Sequence, residues 1–288
     1  MEIISGVKKK ERYPVEITAY PYLQDHYFEG QAIFPAVEAL IVMAKIAAAN
    51  FSQVNFCHQI QARFLHFLSI DPKEQIKKVF ADITEVADGQ LAVAICTPAK
   101  SKTGAIKRML EHAYVEFSLS PTQDHLIPPS TSWNQLGGEC FSVPAATIYQ
   151  ELVPFGKAYQ NIVGELSLSP EGAIAHLYGG EGEVTDDLIG SPFTFDAAMH
   201  AACCWGQRYA GIVAFPVGFA ERTIYRKTKK DVNYIGRIIP VNVSRETLIF
   251  DALIYDSDGI IYENIRGVQM RDVSQSRLCP PNWIKADL

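Results

Sequence analysis

A histidine, a glycine and a proline form the first group of residues whose types and spacing suit chemistry. His26 precedes Pro35 by nine residues, and Gly30 lies between them. A glycine lets the backbone approach a ligand closely, and the unpaired N–H groups at a helix start can hold a developing oxyanion. Because the pKa of imidazole lies near neutrality, a histidine beside such a helix can accept a proton. The group indicates a general base, with a locally packed loop histidine as the alternative.

An aspartate and a histidine form the second group. Asp196 and His200 are four residues apart, so in a helix they share one face. Their neighbours, Phe195 and residues 197–199, are apolar, and an apolar setting keeps a carboxyl protonated as a general acid. A carboxylate that compensates the helix dipole is the alternative interpretation of an acidic residue in a first turn.

Two helices are predicted to position these groups. Residues 35–50 begin with a proline, which suits a first helical turn, and residues 194–210 begin with Thr194, a plausible N-cap. Both stretches are rich in good helix formers, and both carry apolar residues on every face. We therefore expect two helices that are buried all round.

Strand patterns surround each helix. Runs of β-branched and aromatic residues predict strands at residues 79–86, 90–97, 107–119, 162–168, 172–178, 232–240, 248–255 and 260–273. Turn signals occur at Asp88-Gly89 and Thr103-Gly104, and the Pro-, Ser- and Gly-containing residues 121–140 are typical of a linker. The sequence thus predicts an α+β fold with an N-terminal half at 1–120 and a C-terminal half at 141–288. Each half is an antiparallel sheet curled around one helix.

Composition argues against several classes of protein. The chain has 288 residues, of which 48% are hydrophobic and 20% charged, and this excludes wholesale disorder. A net charge of -6 argues against nucleic acid as the main partner, because a phosphate backbone needs a basic surface. Six cysteines without a C-x-x-C pair argue against a zinc cluster or a disulfide framework. No stretch suits a membrane span or a secretory signal, so a cytoplasmic protein is expected.

The two groups of residues resemble motifs of the polyketide synthase dehydratase family. His26, Gly30 and Pro35 fit its H-x-x-x-G-x-x-x-x-P motif, and Asp196 and His200 fit its D-x-x-x-Q/H motif. They occur in the family's order, and together with two further motifs they span most of the chain. One such motif alone is weak, whereas an ordered set of four is fairly specific.

Two shorter segments complete this resemblance and also depart from it. Residues 155–160 resemble the family's Y-G-P-x-F element, and residues 215–219 resemble its L-P-F-x-W stretch. Phe155 stands at the family's tyrosine, so that hydroxyl is missing, and Lys157 stands at its proline. Tyr159 stands at the family's phenylalanine and supplies a hydroxyl nearby. These departures suggest a divergent member of the family.

The resemblance implies a double hotdog fold and the dehydration of a 3-hydroxyacyl thioester held on the phosphopantetheine arm of an acyl carrier protein. In that reaction, His26 takes the α-proton and a protonated Asp196 gives a proton to the departing β-hydroxyl. Backbone N–H groups near Gly30 polarise the thioester carbonyl, and His200 orients Asp196 or the hydroxyl. No metal or redox cofactor is needed. We expect His26 and Asp196 to face one apolar cavity.

Other residues are candidates for contacts with substrate or partner. An acyl tunnel is lined by aromatic residues such as Phe155, Tyr159 and Phe219, which otherwise belong to a core. An acidic carrier protein would dock by charge complementarity on a basic stretch, with a solvated hairpin as the alternative. That stretch contains Arg222, Arg226, Lys227, Lys229 and Lys230. A homodimer is also compatible with this fold, although two fused halves already satisfy the pairing that single hotdogs seek.

Two rival functions stay open at this point. An enoyl isomerase or a cyclase uses the same base without net loss of water, and the missing hydroxyl at Phe155 favours it. A non-catalytic hotdog binds acyl chains or scaffolds a synthase, and the presence of both His26 and Asp196 argues against it.

Overall fold

The computed structural model describes seven segments of the chain, which divides into two compact units. The described residues are 10–51, 53–86, 90–99, 108–119, 131–181, 188–244 and 246–285. The first unit is Met1–Gln123 and the second is Asp124–Leu288. Residues 121–130 of the predicted linker and the predicted turns at Asp88-Gly89 and Thr103-Gly104 lie outside the described residues.

The first unit is an antiparallel sheet with one long helix. Its elements are β1 (Lys10–Thr18), β2 (Tyr27–Phe28), β3 (Gln31–Ala32), α1 (Ala36–Asn50), β4 (Asn55–Phe64), β5 (Ile76–Val86), β6 (Gln90–Pro98) and β7 (Met109–Ser118). Within this unit the strands follow the order β1-β5-β6-β7-β4, and each neighbouring pair is antiparallel. A separate hairpin joins β2 and β3.

The helix of the first unit forms from good helix formers and packs on the sheet. Pro35 lies at the N-cap, one position before the first turn. The helix packs on β5, β6 and β7, and its buried residues include Leu40 and Met43. The prediction that it is buried all round is wrong for its C-terminal part, because Lys45 and residues 48–50 are exposed.

A cross-strand ion pair stabilises the edge of this sheet. Arg12 on β1 lies directly opposite Asp82 on β5, and its Nε and Nη2 donate to the carboxylate at 2.5 and 2.8 Å. Lys10 adds a second contact at 2.8 Å. The hydrogen bonds from Arg12 and Lys10 lower the pKa of Asp82 from its ordinary value, although burial opposes them.

We expect Asp82→Asn to lower the free energy of unfolding by about 0.2–1 kcal/mol at neutral pH. The effect is small because Arg12 and Lys10 are 41% and 56% exposed. Since folding lowers the Asp82 pKa, its stabilisation is present above the unfolded pKa of about 3.9 and is lost as the pH falls through the folded value. Urea unfolding of both proteins at neutral pH and at about pH 3 tests this. The difference should shrink in acid, and an unchanged difference would contradict the assignment.

The second unit is a larger antiparallel sheet with a fully buried helix. Its elements are β8 (Phe141–Pro144), α2 (Ala145–Thr147), β9 (Ile162–Ser169), β10 (Gly172–Tyr178), α3 (Pro192–Trp205), β11 (Phe215–Ile224), β12 (Asn233–Val243), β13 (Thr247–Tyr255) and β14 (Ile261–Arg271). Within this unit the strands follow the order β11-β14-β13-β12-β10-β9-β8, again antiparallel. Wide π-helical turns extend α2 at Ile148–Leu152 and α3 at Gly206–Ala210.

Every residue of α3 is buried, as predicted, and the helix packs on strands β9 to β13. It begins at Pro192, because Ser191 is the N-cap and its Oγ accepts the N–H of Phe193 at 3.3 Å. The prediction of Thr194 as N-cap is therefore wrong, since this residue lies inside the first turn. Among the described residues, no helix is long and apolar enough to cross a membrane.

The predicted strands are present in the structure, with described ends shifted by at most three residues. Six strands, β1 to β4, β8 and β11, have no counterpart among the predictions, and β2 and β3 have only two residues each. β1 and β4 are rich in charged and polar residues, and β8 has only four residues, so none of the three stands out as an apolar run. The predicted α+β fold is confirmed, with one long helix and antiparallel strands in each unit.

Candidate active site

Asp196 and His200 lie together on one face of α3, as their spacing predicts. Oδ2 of Asp196 and Nε2 of His200 are 3.0 Å apart, and the two side chains are 4% and 6% exposed. The contact falls short of a standard hydrogen bond, and neither atom has a hydrogen-bond partner among the described residues. A carboxyl and an imidazole are therefore held in contact inside an apolar core.

Two aromatic side chains flank the imidazole of His200. The phenol oxygen of Tyr149, in the turn Ile148–Leu152, lies 3.4 Å from His200 Nδ1 and accepts the N–H of Ile162 at 2.7 Å. The ring of Phe155 also lies beside the imidazole, with 5.1 Å between the centroids. Burial raises the pKa of Tyr149, so its hydroxyl keeps its proton. The imidazole thus lies between a hydrogen-bonding ring and an apolar one.

Tyr149 is a residue of this site that sequence reasoning missed. It precedes Phe155 by six residues and belongs to none of the four motifs. One signal could have indicated it: a tyrosine shortly before residues 155–160, the motif in which the family's tyrosine is replaced by phenylalanine. Phe155 belongs to the predicted site, and its ring contacts His200.

The other predicted aromatic residues of this unit pack against the start of α3. Tyr159 is fully buried, and its ring centroid lies 5.5 Å from that of Phe193. The ring centroid of Phe219, on β11, lies 5.9 Å from that of Phe195. Both phenylalanines belong to the first turns of the helix. The structure therefore brings Tyr159 and Phe219 to the helix that carries Asp196, and their contact with substrate stays a prediction.

A polar network fixes the start of α3. The hydroxyl of Ser191 donates to the carbonyl of Gly179 at 2.6 Å, and the Ser191 N–H donates to the hydroxyl of Thr228 at 3.1 Å. The hydroxyl of Thr194 lies 3.2 Å from that of Thr228. Because these bonds tie the first turn to two loops, Asp196 in the next turn has a defined position.

Arg222 is buried, so the prediction that it lies on a docking surface is wrong. It is 2% exposed, and its Nε and Nη2 donate to Oε2 of Glu263 at 2.8 and 2.7 Å. Its guanidinium also lies 4.9 Å from the ring of Phe195. Burial raises the pKa of Glu263, and Arg222 opposes that rise. Arg222 lies within β11, where side chains point alternately to the two faces of the sheet. A run of basic residues in a sequence does not show which of them point into the core.

The remaining basic residues of that stretch lie nearer the surface and form a basic turn after β11. Arg226, Lys227 and Lys229 are exposed, and Lys230 is half-buried. Thr228, between them, is buried and holds the start of α3. The basic turn therefore lies next to the end of α3 that carries Asp196, and its role in docking stays a prediction.

In the first unit, His26 lies at the start of the β2–β3 hairpin. Its Nδ1 lies 2.9 Å from the carbonyl oxygen of Ile33, and its own carbonyl accepts the Ile33 N–H at 2.8 Å. A carbonyl oxygen only accepts, so in the neutral ring Nδ1 carries the proton and Nε2 carries the lone pair. The half-buried ring is thus held in the tautomer that a general base requires.

Gly30 lies at the tip of the same hairpin. Glu29 and Gly30 both have positive φ, 48° and 78°, as in the tight turns that favour glycine. Gly30 is exposed and lines an open cleft of about 550 Å³ together with Tyr27 and Ser69. The positive φ of this turn accounts for a glycine at position 30. The contact of nearby N–H groups with the thioester carbonyl stays a prediction.

The described residues contain no group of three or more His, Cys, Asp or Glu side chains that could hold a metal ion. The cysteines that the structure describes are free thiols. Burial raises the pKa of Cys203 to about 11, so this thiol stays protonated at neutral pH.

A family model covers nearly half of the chain. The model described as "Polyketide synthase dehydratase N-terminal domain" matches residues 142–278, which lie in the second unit. No curated protein matches the chain.

The chain is similar over most of its length to solved dehydratase domains. The domain from the CurF module of the curacin polyketide synthase is 18% identical with a TM-score of 0.70, and the match covers 94% of this chain and 96% of that chain. The domain from the CurJ module is 16% identical with a TM-score of 0.71 and 93% coverage of both chains.

A trans-AT polyketide synthase dehydratase domain from Brevibacillus brevis is similar in the same way. It is 18% identical with a TM-score of 0.69, and the match covers 91% of this chain and 93% of that chain. These likenesses show the fold, which is the double hotdog predicted from the sequence. The family model over residues 142–278 and the shared fold both agree with the resemblance to polyketide synthase dehydratase domains that the motifs indicate.

Proposed function

We propose that the protein eliminates water from a 3-hydroxyacyl thioester, in polyketide or fatty-acid-like biosynthesis. The proposal is supported by the match of residues 142–278 to the polyketide synthase dehydratase family model and by the motifs that resemble that family. The observation that carries the finer proposal is the buried contact between Asp196 and His200, 3.0 Å apart. Burying a polar atom without a hydrogen-bond partner costs about 1–3 kcal/mol, so packing alone does not account for such a pair.

The first half of the proposed reaction is proton abstraction by His26. Its Nδ1–H is held by the Ile33 carbonyl, so Nε2 carries the lone pair that accepts the α-proton. The electron pair of the broken Cα–H bond forms the Cα=Cβ double bond. The thioester carbonyl makes the α-proton more acidic, and N–H groups near Gly30 and the start of α1 would stabilise the charge on its oxygen.

The second half is protonation of the leaving hydroxyl by Asp196. Hydroxide is a poor leaving group, so the Cβ–O bond breaks as the carboxyl gives its proton and water departs. His200 contacts Oδ2 of Asp196 and thereby orients the carboxyl towards the β-hydroxyl. After the reaction His26 holds the α-proton and Asp196 is ionised, and a return of the proton through solvent resets both.

The proposed reaction uses side chains for both proton transfers and needs no metal or redox cofactor. We propose that an acyl carrier protein presents the substrate on its phosphopantetheine arm. The aromatic residues packed against α3, among them Phe155, Tyr159 and Phe219, would contact the acyl group.

Incubation of the protein with 3-hydroxyacyl thioesters, followed by mass spectrometry, tests this proposal. Loss of water that depends on both His26 and Asp196 is the expected result. Migration of a double bond or closure of a ring without loss of water would favour an isomerase or a cyclase. Binding without any turnover would favour a scaffold.

We propose the basic turn as the docking site of the carrier protein. Changing Arg226, Lys227 and Lys229 together to glutamate should raise KM for a carrier-bound substrate about tenfold or more, because complementary charges speed association. The KM for a short soluble thioester with the same acyl group should not change, since that substrate does not need the docking surface.

The control for this prediction carries the same change of net charge elsewhere. Lys73, Lys78 and Arg271 are exposed cations outside the basic turn, and their replacement by glutamate alters the net charge equally. The control should leave both KM values near those of the unchanged protein. An equal rise in the two triple variants, or no rise in either, would contradict docking at the basic turn.

A further inference from the structure

We propose that Tyr149 is a positioning residue that acts through His200: it keeps the proton of Asp196 available for the departing hydroxyl of the substrate. The inference rests on the proposed function and deepens it. Tyr149 lies outside all four motifs, and its role follows from the direction of the hydrogen bonds around it.

The first step concerns the phenol oxygen of Tyr149. The N–H of Ile162 donates to this oxygen at 2.7 Å, so the phenol's own proton is left to donate elsewhere. Within the described parts of the chain, the acceptor in reach is Nδ1 of His200, 3.4 Å away. This distance is long, and hydrogen bonds at catalytic sites often tighten when substrate binds. Nδ1 is therefore the acceptor, and the ring proton lies on Nε2.

The second step concerns the contact between His200 and Asp196. With its proton on Nε2, the imidazole directs an N–H towards Oδ2 of Asp196, 3.0 Å away, and this contact becomes a hydrogen bond when the site tightens around substrate. Oδ2 then accepts, and the proton of the neutral carboxyl lies on Oδ1. From that atom it can be given to a β-hydroxyl.

The opposite tautomer of His200 would disable the acid. With a proton on Nδ1, the ring would offer the Nε2 lone pair to Oδ2 of Asp196. A protonated Asp196 would then donate its proton to His200 and not to the leaving hydroxyl. Tyr149 disfavours this tautomer, because its oxygen would then accept two N–H groups and its own proton would lose Nδ1 as its acceptor.

Two further features suit Tyr149 to this role. Its hydroxyl stays protonated because burial raises its pKa, and it lies in the π-helical turn Ile148–Leu152, a kind of turn that is frequent at functional sites. Phe155, which stands at the family's tyrosine, places its ring against the same imidazole without a hydroxyl. Tyr149 therefore supplies the hydroxyl that reaches His200.

Nitrogen NMR of the full-length protein, labelled at its histidines, tests the tautomer without any turnover. The His200→Gln variant assigns the signals of His200. We expect the Nε2–H tautomer to dominate in the unchanged protein, and Tyr149→Phe to raise the Nδ1–H fraction severalfold. Tyr255→Phe is the matched control. Like that of Tyr149, the hydroxyl of Tyr255 is buried, but unlike it the Tyr255 hydroxyl has no hydrogen-bond partner among the described residues. A dominant Nδ1–H tautomer in the unchanged protein would overturn the proposal.

A double-variant experiment separates positioning from packing. Tyr149→Phe should lower kcat for enoyl formation about tenfold with little change in KM, as for the loss of one hydrogen bond in the transition state. The amide of a glutamine at position 200 donates to Asp196 whatever stands at position 149. In a His200→Gln background, Tyr149→Phe should therefore cause no further loss. An equal loss in both backgrounds would overturn the proposal.

These two experiments separate failure of the inference from failure of the proposed function. If the protein does not release water from any 3-hydroxyacyl thioester, the NMR result still decides which tautomer Tyr149 selects. If it releases water and the His200 tautomer is the same with and without the Tyr149 hydroxyl, the inference alone is wrong.

Discussion

Asp196→Asn should lower the rate of enoyl formation by about 10²–10⁴-fold, the range expected for loss of a general acid. Asparagine has nearly the shape of the original side chain, but its amide does not give up a proton to a leaving hydroxyl. His26→Ala should cause a loss of the same order, because the α-proton then has no base to accept it. Both losses should appear in kcat more than in KM, since each group acts in the transition state.

The measurement is the rate of enoyl formation from a 3-hydroxyacyl thioester, followed by mass spectrometry. Asp258→Asn and His176→Ala are matched controls, because both residues are exposed and lie outside the site. The controls should keep the rate of the unchanged protein. If either Asp196→Asn or His26→Ala also kept that rate while folded, the assigned acid or base would be wrong.

Arg222→Met should lower the free energy of unfolding by about 3–5 kcal/mol at neutral pH, because it leaves Glu263 buried without its counter-charge. The pair lies beneath α3, with Arg222 2% exposed and Glu263 0% exposed. The control is Arg266→Met, which removes a surface cation 3.6 Å from Glu221 on the same sheet. That exposed pair should contribute at most about 1 kcal/mol.

The loss at Arg222 should depend on pH. Burial raises the pKa of Glu263, and Arg222 opposes that rise, so its removal raises the folded pKa further. A carboxyl whose pKa is raised by folding contributes most to the stability of the protein below its unfolded pKa of about 4.3. This contribution is lost as the pH rises through the folded pKa. The variant should therefore lose less stability in mild acid than at neutral pH.

Urea unfolding at both pH values tests this prediction. The double variant Arg222→Met/Glu263→Leu should recover most of the lost stability at neutral pH, because both charges leave the core together. An Arg222→Met loss no larger than that of Arg266→Met would contradict the buried ion pair.

Much of the fold could be predicted from the sequence because its signals are local. Runs such as Gly172–Tyr178 are apolar or β-branched and bounded by turn residues, so the pattern itself indicates a strand. The charged edge strand Lys10–Thr18 gave no such signal, because its stability comes from pairing with Ile76–Val86, far along the chain. The start of α3 was misplaced because Ser191 caps it through contacts with Gly179 and Thr228, which no local pattern contains.

The candidate site could be predicted in part, for the same reason. Asp196 and His200 lie four residues apart in one helix, so their contact follows from helical spacing. Tyr149 reaches His200 from another element, 51 residues away in sequence, so spacing does not reveal it. Arg222 looks like a surface cation in the sequence, and only the packing of β11 against α3 shows it as part of the core.

One double-variant measurement tests most directly whether the two halves of the chain act on one substrate. The rates of enoyl formation by His26→Ala, Asp196→Asn and the combined variant are compared with that of the unchanged protein. Groups that act together in one reaction are strongly non-additive, so the combined variant should be no more than about threefold slower than the slower single variant. Losses that multiply in the combined variant, or a single variant that keeps full activity, would contradict a shared proton-transfer step.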